Sequence, residues 1–289
     1  MHTQFAEERI DKNKVNEFTY ASRKLPEFMC LRLVRCSDCD LVYAPTPPDS
    51  KYLFDAYTDA AYDSSEEAQC AANSYARALT PFLSRLTSRG AAVDVGAGSG
   101  PLLPWLLAEK FHPVIGIEPS IAAIDAATDS VRPLLRKGMF SSTLLEDVTP
   151  TLICSFMTLE HIDDPASFVN NAYDKLEPGG MIAVVVHNWQ GLLNRILGLR
   201  SPIIDVEHLQ LFNPGSVSRL LKNSGFEAIE VIAISNTYPL KYWLRLMPLP
   251  SAVKNVIERI LEKLYVSNMK LPMRVGNILA VGIKPDQEL

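Results

Sequence analysis

Cysteine and histidine are scarce in this chain. Five cysteines in 289 residues, an odd number, exclude a disulfide scaffold of the kind small secreted domains use. No apolar run reaches the 18 or so residues of a membrane-spanning helix, so stable membrane insertion is not expected. The first sixteen residues are polar and mixed in charge, without the apolar stretch of a signal peptide, and a cytoplasmic location is expected. An excess of positive charge is missing too. With 28 Lys and Arg against 33 Asp and Glu, the net charge is −5, which argues against a general nucleic-acid binder. What is present is ordinary for a globular protein, with 47% hydrophobic and 21% charged residues. The length allows one large α/β domain with additions.

The chain is organised around residues 91–100, Ala-Ala-Val-Asp-Val-Gly-Ala-Gly-Ser-Gly. Ala91 to Val95 reads as a buried strand carrying one acid, Asp94. Gly96, Gly98 and Gly100 follow at alternate positions, and Pro101 opens an amphipathic helix, a position where its missing N–H is no loss. Strand, glycine turn and helix N-terminus let a ligand press against bare backbone, and glycine supplies positive φ without a Cβ. A dinucleotide fingerprint is G-x-G-x-x-G. Here the third glycine comes one place early, and Pro101 stands where that motif has glycine. Glu118 closes the next strand, 18 residues past Gly100. It is placed to accept both hydroxyls of a ribose, or to serve as a charge at a helix N-terminus.

Strand and helix patterns alternate from there: strands at 113–117, 134–136, 151–156 and 181–186, then 227–234 and 277–283, with helices at 101–109, 120–128, 165–176 and 214–223. A helix over 66–88 precedes them. Alternation of this kind implies a largely parallel sheet with helices on both faces. Ahead of it, residues 1–50 read as a frayed tail followed by a β-hairpin whose turn is Cys36-Ser37-Asp38-Cys39. Such a knuckle is half of a zinc ribbon, but no second ligand pair stands upstream, and no metal is expected. Cys70 and Cys154 read as core thiols.

An acid two residues before G-x-G-x-G, an acid ending the second strand, and Leu159-Glu160-His161 after the fourth together resemble class I S-adenosylmethionine-dependent methyltransferases, over roughly residues 75–235. Arg35 to Pro48 is similar to the second half of the four-cysteine segment that some bacterial members carry. The resemblance implies an α/β, doubly wound, seven-stranded Rossmann-like sheet of order 3-2-1-4-5-7-6 with the last strand antiparallel, and S-adenosyl-L-methionine as cofactor. It implies that Gly96, Ala97, Gly98 and Gly100 face the aminocarboxypropyl arm, with Asp94 orienting the loop or meeting the ammonium. Glu118 and Pro119 then belong to the ribose. Met139 and Phe140 would sandwich the adenine where many relatives have an acid. Phe156 and Met157 would line the floor, and Tyr62 or Tyr57 would close over the cofactor, unless these tyrosines only pack a covering segment.

Methyl transfer is mostly a matter of positioning two reactants, but a hydroxyl acceptor must also lose a proton. Of five histidines, His208, His187 and His161 fall at strand ends or loops on the cofactor side. They are candidate bases in that order, or else loop-fixing donors. Two insertions, about 189–211 and 237–274, are expected to form a lid over the acceptor. Segment 237–274 has seven basic and two acidic side chains among aromatic and aliphatic ones. That composition suits a large hydrophobic acceptor carrying a carboxylate or phosphate, peripheral contact with an anionic membrane, or a dimer interface or solvated helix face. The function expected is methyl transfer, at oxygen, to a small-molecule acceptor of hydrophobic and partly anionic character. A monomer or homodimer is expected. C- or N-methylation of a natural product or sugar, and a non-catalytic cofactor-binding module, are the alternatives. The absence of an Asn-Pro-Pro-Tyr-like run after strand four argues against nucleic-acid and protein acceptors.

Overall fold

The structure, a computed structural model, describes residues 2–286 apart from 12, 17–18, 21–27, 63–64 and 248. The tail and tail-to-hairpin readings therefore fall partly outside the described residues. Strands β1 (His2–Ala6), β2 (Leu33–Cys36) and β3 (Val42–Tyr43) precede helices α1 (Ser50–Thr58) and α2 (Ser65–Leu79). The alternating region comprises β4 (Ala91–Val95), α3 (Leu103–Ala108), β5 (Val114–Glu118), α4 (Ile121–Asp125), β6 (Leu135–Lys137), β7 (Pro150–Phe156), α5 (Pro165–Lys175) and β8 (Met181–His187). Then come α6 (Leu192–Leu197), β9 (Gln210–Leu211), α7 (Pro214–Asn223), β10 (Glu227–Ala233), β11 (Asn236–Pro239), α8 (Leu240–Leu246), α9 (Ser251–Lys263), β12 (Lys270–Met273) and β13 (Asn277–Ile283).

Seven strands form one sheet in the order β10-β13-β8-β7-β4-β5-β6. Counted along the chain from the β6 edge this is 3-2-1-4-5-7-6, as expected, and β13 runs antiparallel to both β8 and β10. The central strands are buried on both faces, which is why they read as continuous apolar runs. Successive residues alternate between two cores. Ala92, Cys154, Ala183 and Leu279 pack with α2 and α3 on one face. Val93, Ile153, Val184 and Ala280 pack with α5 and α7 on the other. Local sequence fixes the helix starts. Asp164 caps α5 before Pro165, and Asn213 and Ser216 form a capping box around Pro214 at α7. The helix expected to run to Ser88 ends its α-helical part at Leu79, and a 3-10 turn with proline at its start continues from Thr80 to Arg85.

The N-terminal segment differs from its reading. His2–Ala6 is no frayed tail: it pairs antiparallel with β2. Strand β9, from the first insertion, pairs with β3, so four strands form the sheet β1-β2-β3-β9. Ile203, Ile204 and Leu211 bury against Ala6, Leu33 and Val42. The hairpin turn holds the same insertion from its other side. The Trp189 indole N–H donates to the Asp40 carbonyl at 2.9 Å, and the Asn213 amide donates to it at 3.0 Å. In that turn, backbone N–H donors hold the Cys36 thiol low while burial pushes Cys39 up. Cys70 and Cys154 are buried, as expected.

The second insertion is a ribbon of β11 and β12 carrying α8 and α9. It is tied to α2: the Thr237 N–H donates to Ser74 Oγ at 3.1 Å, and Lys241 and Arg245 stand 3.8 and 3.9 Å from Glu66 and Glu67. Among the described residues, no helix is long and apolar enough to cross a membrane.

Candidate functional site

Beyond the C-terminal ends of β4, β5 and β7 lies a cavity of about 1080 Å³, in the crevice where open α/β sheets take ligands. Its size lies at the upper end of the ~300–1000 Å³ of a typical small-molecule pocket. Asp94, Gly96, Ala97 and Gly98 line one end, with Glu118, Pro119, Met139, Phe140, Phe156, Met157 and Tyr62. His161, His187 and His208 line the other.

The glycine loop is shaped by what side chains would hit. Gly96 has φ +75°, and a Cβ there would stand 2.1 Å from Thr158 Oγ1. Gly98 has φ +56° and open space where its Cβ would be, so bare backbone faces the cavity. Gly100 departs from the expectation. It does not line the cavity; its N–H bonds the Ala97 carbonyl at 2.9 Å, and a Cβ would meet Val131 at 2.5 Å. It closes the turn and lets α3 pack.

Two buried acids flank the loop. Glu118 accepts from the Gly98 N–H at 2.7 Å and from the Ser120 N–H at 2.8 Å. Burial pushes its carboxyl up while these two donors hold it down. A carboxylate has about four lone-pair sites, so half its accepting capacity is left for a ligand. Asp94 is only 5% exposed, and its carboxylate accepts no hydrogen bond from any described residue. Burial, then the charge of Glu118, pushes its carboxyl up to about 8. A buried acid without a partner is costly, and what is missing beside it is a cation or an N–H donor. An aminocarboxypropyl nucleoside supplies both that ammonium and a ribose for Glu118, so the donor set fits S-adenosylmethionine.

The two candidate tyrosines sit apart. The Tyr62 hydroxyl is 2.9 Å from Ser99 Oγ, over the loop, whereas the Tyr57 ring is 6.0 Å from that of His161. Phe140 packs on Phe168 at 5.0 Å. Met157 holds φ +57°, a conformation uncommon outside glycine and frequent at functional sites.

The three histidines, 26 and 21 positions apart along the chain, meet in space. The His208 ring is 4.9 Å from His161 and 5.2 Å from His187. Nδ1 of His161 is 3.0 Å from the Glu207 carbonyl, and Nδ1 of His208 is 2.9 Å from the Ile203 carbonyl. A carbonyl can only accept, so each Nδ1 donates, and in the neutral ring the lone pair is then on Nε2. His187 Nδ1 is 2.9 Å from Asn277 Oδ1; Asn277 donates to Asn236, and Asn236 in turn to the Tyr75 hydroxyl. Burial pushes His187 down to about 4, keeping it neutral. This amide relay escaped sequence reading, although Asn277 heading an otherwise apolar strand was a signal.

Glu160 fixes the histidine end. Fully buried, it accepts the His187 N–H at 2.7 Å, and its carbonyl accepts the Leu209 N–H at 2.8 Å. Burial pushes its carboxyl up to about 7. A raised carboxyl stabilises the fold below its unfolded value, and that contribution is lost as pH rises through the folded one. Glu160→Gln keeps the bond to His187 and removes the titration. Its melting temperature is expected to exceed that of the wild type by a margin that opens above about pH 4.5 and levels off past pH 7. Scanning calorimetry across that range checks it, and a margin independent of pH contradicts it.

A family profile described as a methyltransferase domain matches residues 66–231. A protein of Mycolicibacterium smegmatis named as an S-adenosylmethionine-dependent methyltransferase is 28% identical over 156 residues, 52% of this chain. The chain spans 58% of that relative's length. Among solved structures, the plantazolicin methyltransferase BpumL in complex with S-adenosylhomocysteine is 16% identical, with TM-score 0.51 over 82% of this chain and 91% of that one. A Bacillus halodurans protein described as a methyltransferase is 16% identical, with TM-score 0.50 over 73% of this chain and 98% of the other. At such identities the structural likeness is one of fold.

Proposed function

The chain belongs to the class I S-adenosylmethionine-dependent methyltransferases, and we propose that it methylates a small amphiphilic acceptor at oxygen. The observation that carries the reading is the pair of buried acids around a bare glycine loop. Gly96 to Gly98 and Asp94 would hold the amino-acid arm, Glu118 and Pro119 the ribose, and Met139 and Phe140 the adenine. The cofactor, when bound, supplies a methyl group on an activated sulfonium. The chain's own work is to place an acceptor in line with it and to take the acceptor's proton.

The acceptor end has a mixed character. The lid gives it an apolar, aromatic ceiling that includes Tyr238, Tyr242, Trp243, Leu246 and Leu261, and the histidines give it a polar wall. A molecule with a greasy body and one ionisable oxygen suits both. Nε2 lone pairs are the proton acceptors this wall offers. His208, between the other two, is the residue whose loss should matter most. His208→Ala is expected to lower kcat by roughly 10²–10⁴-fold, with the affinity for S-adenosylhomocysteine changed less than about twofold. Unchanged turnover removes the histidine from the chemistry.

The test of the function is calorimetric titration with S-adenosylmethionine and S-adenosylhomocysteine, followed by labelled methyl transfer into a cell extract read by mass spectrometry. Binding with a labelled lipophilic oxygen-methyl product supports the proposal. Binding without turnover on any extract favours a non-catalytic module, and no binding overturns the reading.

A further inference from the structure

The histidine wall carries more ligand chemistry than proton transfer needs. His161, Glu207 and His208 each offer one ligand atom, and these atoms lie within 4.8 Å of one another. His161 comes from the turn after β7, and Glu207 and His208 from the insertion that β3 holds through β9. A separate observation points to a ligand. Both imidazoles give their Nδ1 proton to a backbone carbonyl, of Glu207 and of Ile203, which leaves Nε2 as the ligating nitrogen of the neutral ring. Metal-ligating histidines almost always have this second hydrogen bond, because it fixes the tautomer and the ring orientation.

We infer that His161, Glu207 and His208 form a binding site for a divalent first-row transition cation at the acceptor end of the cavity. Two imidazoles and a carboxylate suit zinc, iron, manganese or cobalt. Magnesium and calcium prefer all-oxygen sets. A tetrahedral ion with ligands at about 2.0–2.2 Å leaves roughly 3.4 Å between ligand atoms, so the side chains rotate inward to close the site. Three protein ligands leave a coordination position open toward the cavity, the arrangement of a catalytic rather than a structural site. The existence of the site does not depend on the methyltransferase reading. Its role does rest on it: the cation would hold an oxygen of the acceptor. With a cation bound, His208 Nε2 is its ligand and not the proton acceptor, and the loss of turnover expected for His208→Ala then reports the loss of the cation. The acceptor class narrows accordingly to molecules whose nucleophilic oxygen can ligate a metal, such as phenols or hydroxy acids.

Cobalt(II) titration tests this, on tag-free, chelator-stripped protein carrying Cys36→Ser and Cys39→Ser, so that hairpin thiolates give no signal. The expected result is one equivalent bound, with the visible absorption of a four- or five-coordinate ion that zinc(II) displaces. His161→Ala and His208→Ala are each expected to weaken cobalt binding by ~100-fold or more. Glu207→Gln, of nearly the same shape, should weaken it by ~10-fold. No visible band up to millimolar cobalt, or an affinity unmoved by Glu207→Gln and by whichever histidine variant folds, overturns the inference. The titration uses neither cofactor nor acceptor, so failure of the methyltransferase reading shows separately, as absent S-adenosylhomocysteine heat.

Discussion

Glu118→Ala is expected to raise the dissociation constant for S-adenosylhomocysteine by about 100-fold or more, measured by calorimetry. Two ribose hydroxyls on a carboxylate are each worth about 1.5–3 kcal/mol, and every 1.4 kcal/mol is roughly tenfold. The same change strips an acceptor from the Gly98 N–H, which Glu118 holds at 2.7 Å, and so loosens the loop that should carry the amino-acid arm. The fold survives, because Ser120 Oγ still caps α4 by accepting from the Ala123 N–H at 3.2 Å. Glu118→Gln keeps the shape but puts an amide N–H where one of the backbone donors points. An intermediate loss of ~10-fold is expected. Affinity unchanged in both variants would mean that the nucleoside lies elsewhere.

Asp94→Asn is expected to move stability and binding in opposite directions. The wild-type carboxyl is buried without a hydrogen-bond partner among the described residues and is pushed up to about 8. Its folded value lies above the unfolded one, so the stability it contributes is present below about pH 4 and lost as pH rises through 8. Removing the charge should gain about 2 kcal/mol near pH 8, a rise in melting temperature of ~4–8 °C for a chain of this size. Cofactor affinity should fall at least tenfold, because the ammonium loses its carboxylate. One further consequence separates this account from a structural role. At pH 7 the empty site holds the proton and the ammonium displaces it, so binding should release close to one proton in the wild type and none in the variant. Calorimetry in buffers of different ionisation enthalpy reads this directly. Equal proton release by both proteins would remove Asp94 from the site.

The legible parts of this molecule were local. Strand β4, its glycine turn and the helix after it are written in ten consecutive residues, because positive φ and the lack of a Cβ are properties of single positions. Glu118 was readable because it ends a strand at a fixed remove from that turn. Gly100 misled, since a glycine needed for packing against Val131 looks in sequence like one needed by a ligand. What pairing creates between distant segments could not be read. His2–Ala6 has little apolar alternation, and its partner lies some thirty residues on. The 189–211 insertion is pinned by the N-terminal hairpin through β9, only two residues long. The β11–β12 ribbon is closed by thirty intervening residues. The three histidines were each placed on the right side of the sheet, yet their convergence, and the carbonyls and Asn277 that set their tautomers, follow from topology alone.

The central claim is that the loop at Gly96 to Gly98, with Asp94 and Glu118, cradles a methyl-donating sulfonium nucleoside. A crystal structure with S-adenosylhomocysteine tests it most directly. The account predicts both ribose hydroxyls on the Glu118 carboxylate, the amino group within hydrogen-bonding reach of Asp94, and the adenine against Met139 and Phe140. A nucleoside lodged elsewhere, or a Gly98 loop facing solvent at saturating ligand, would contradict it.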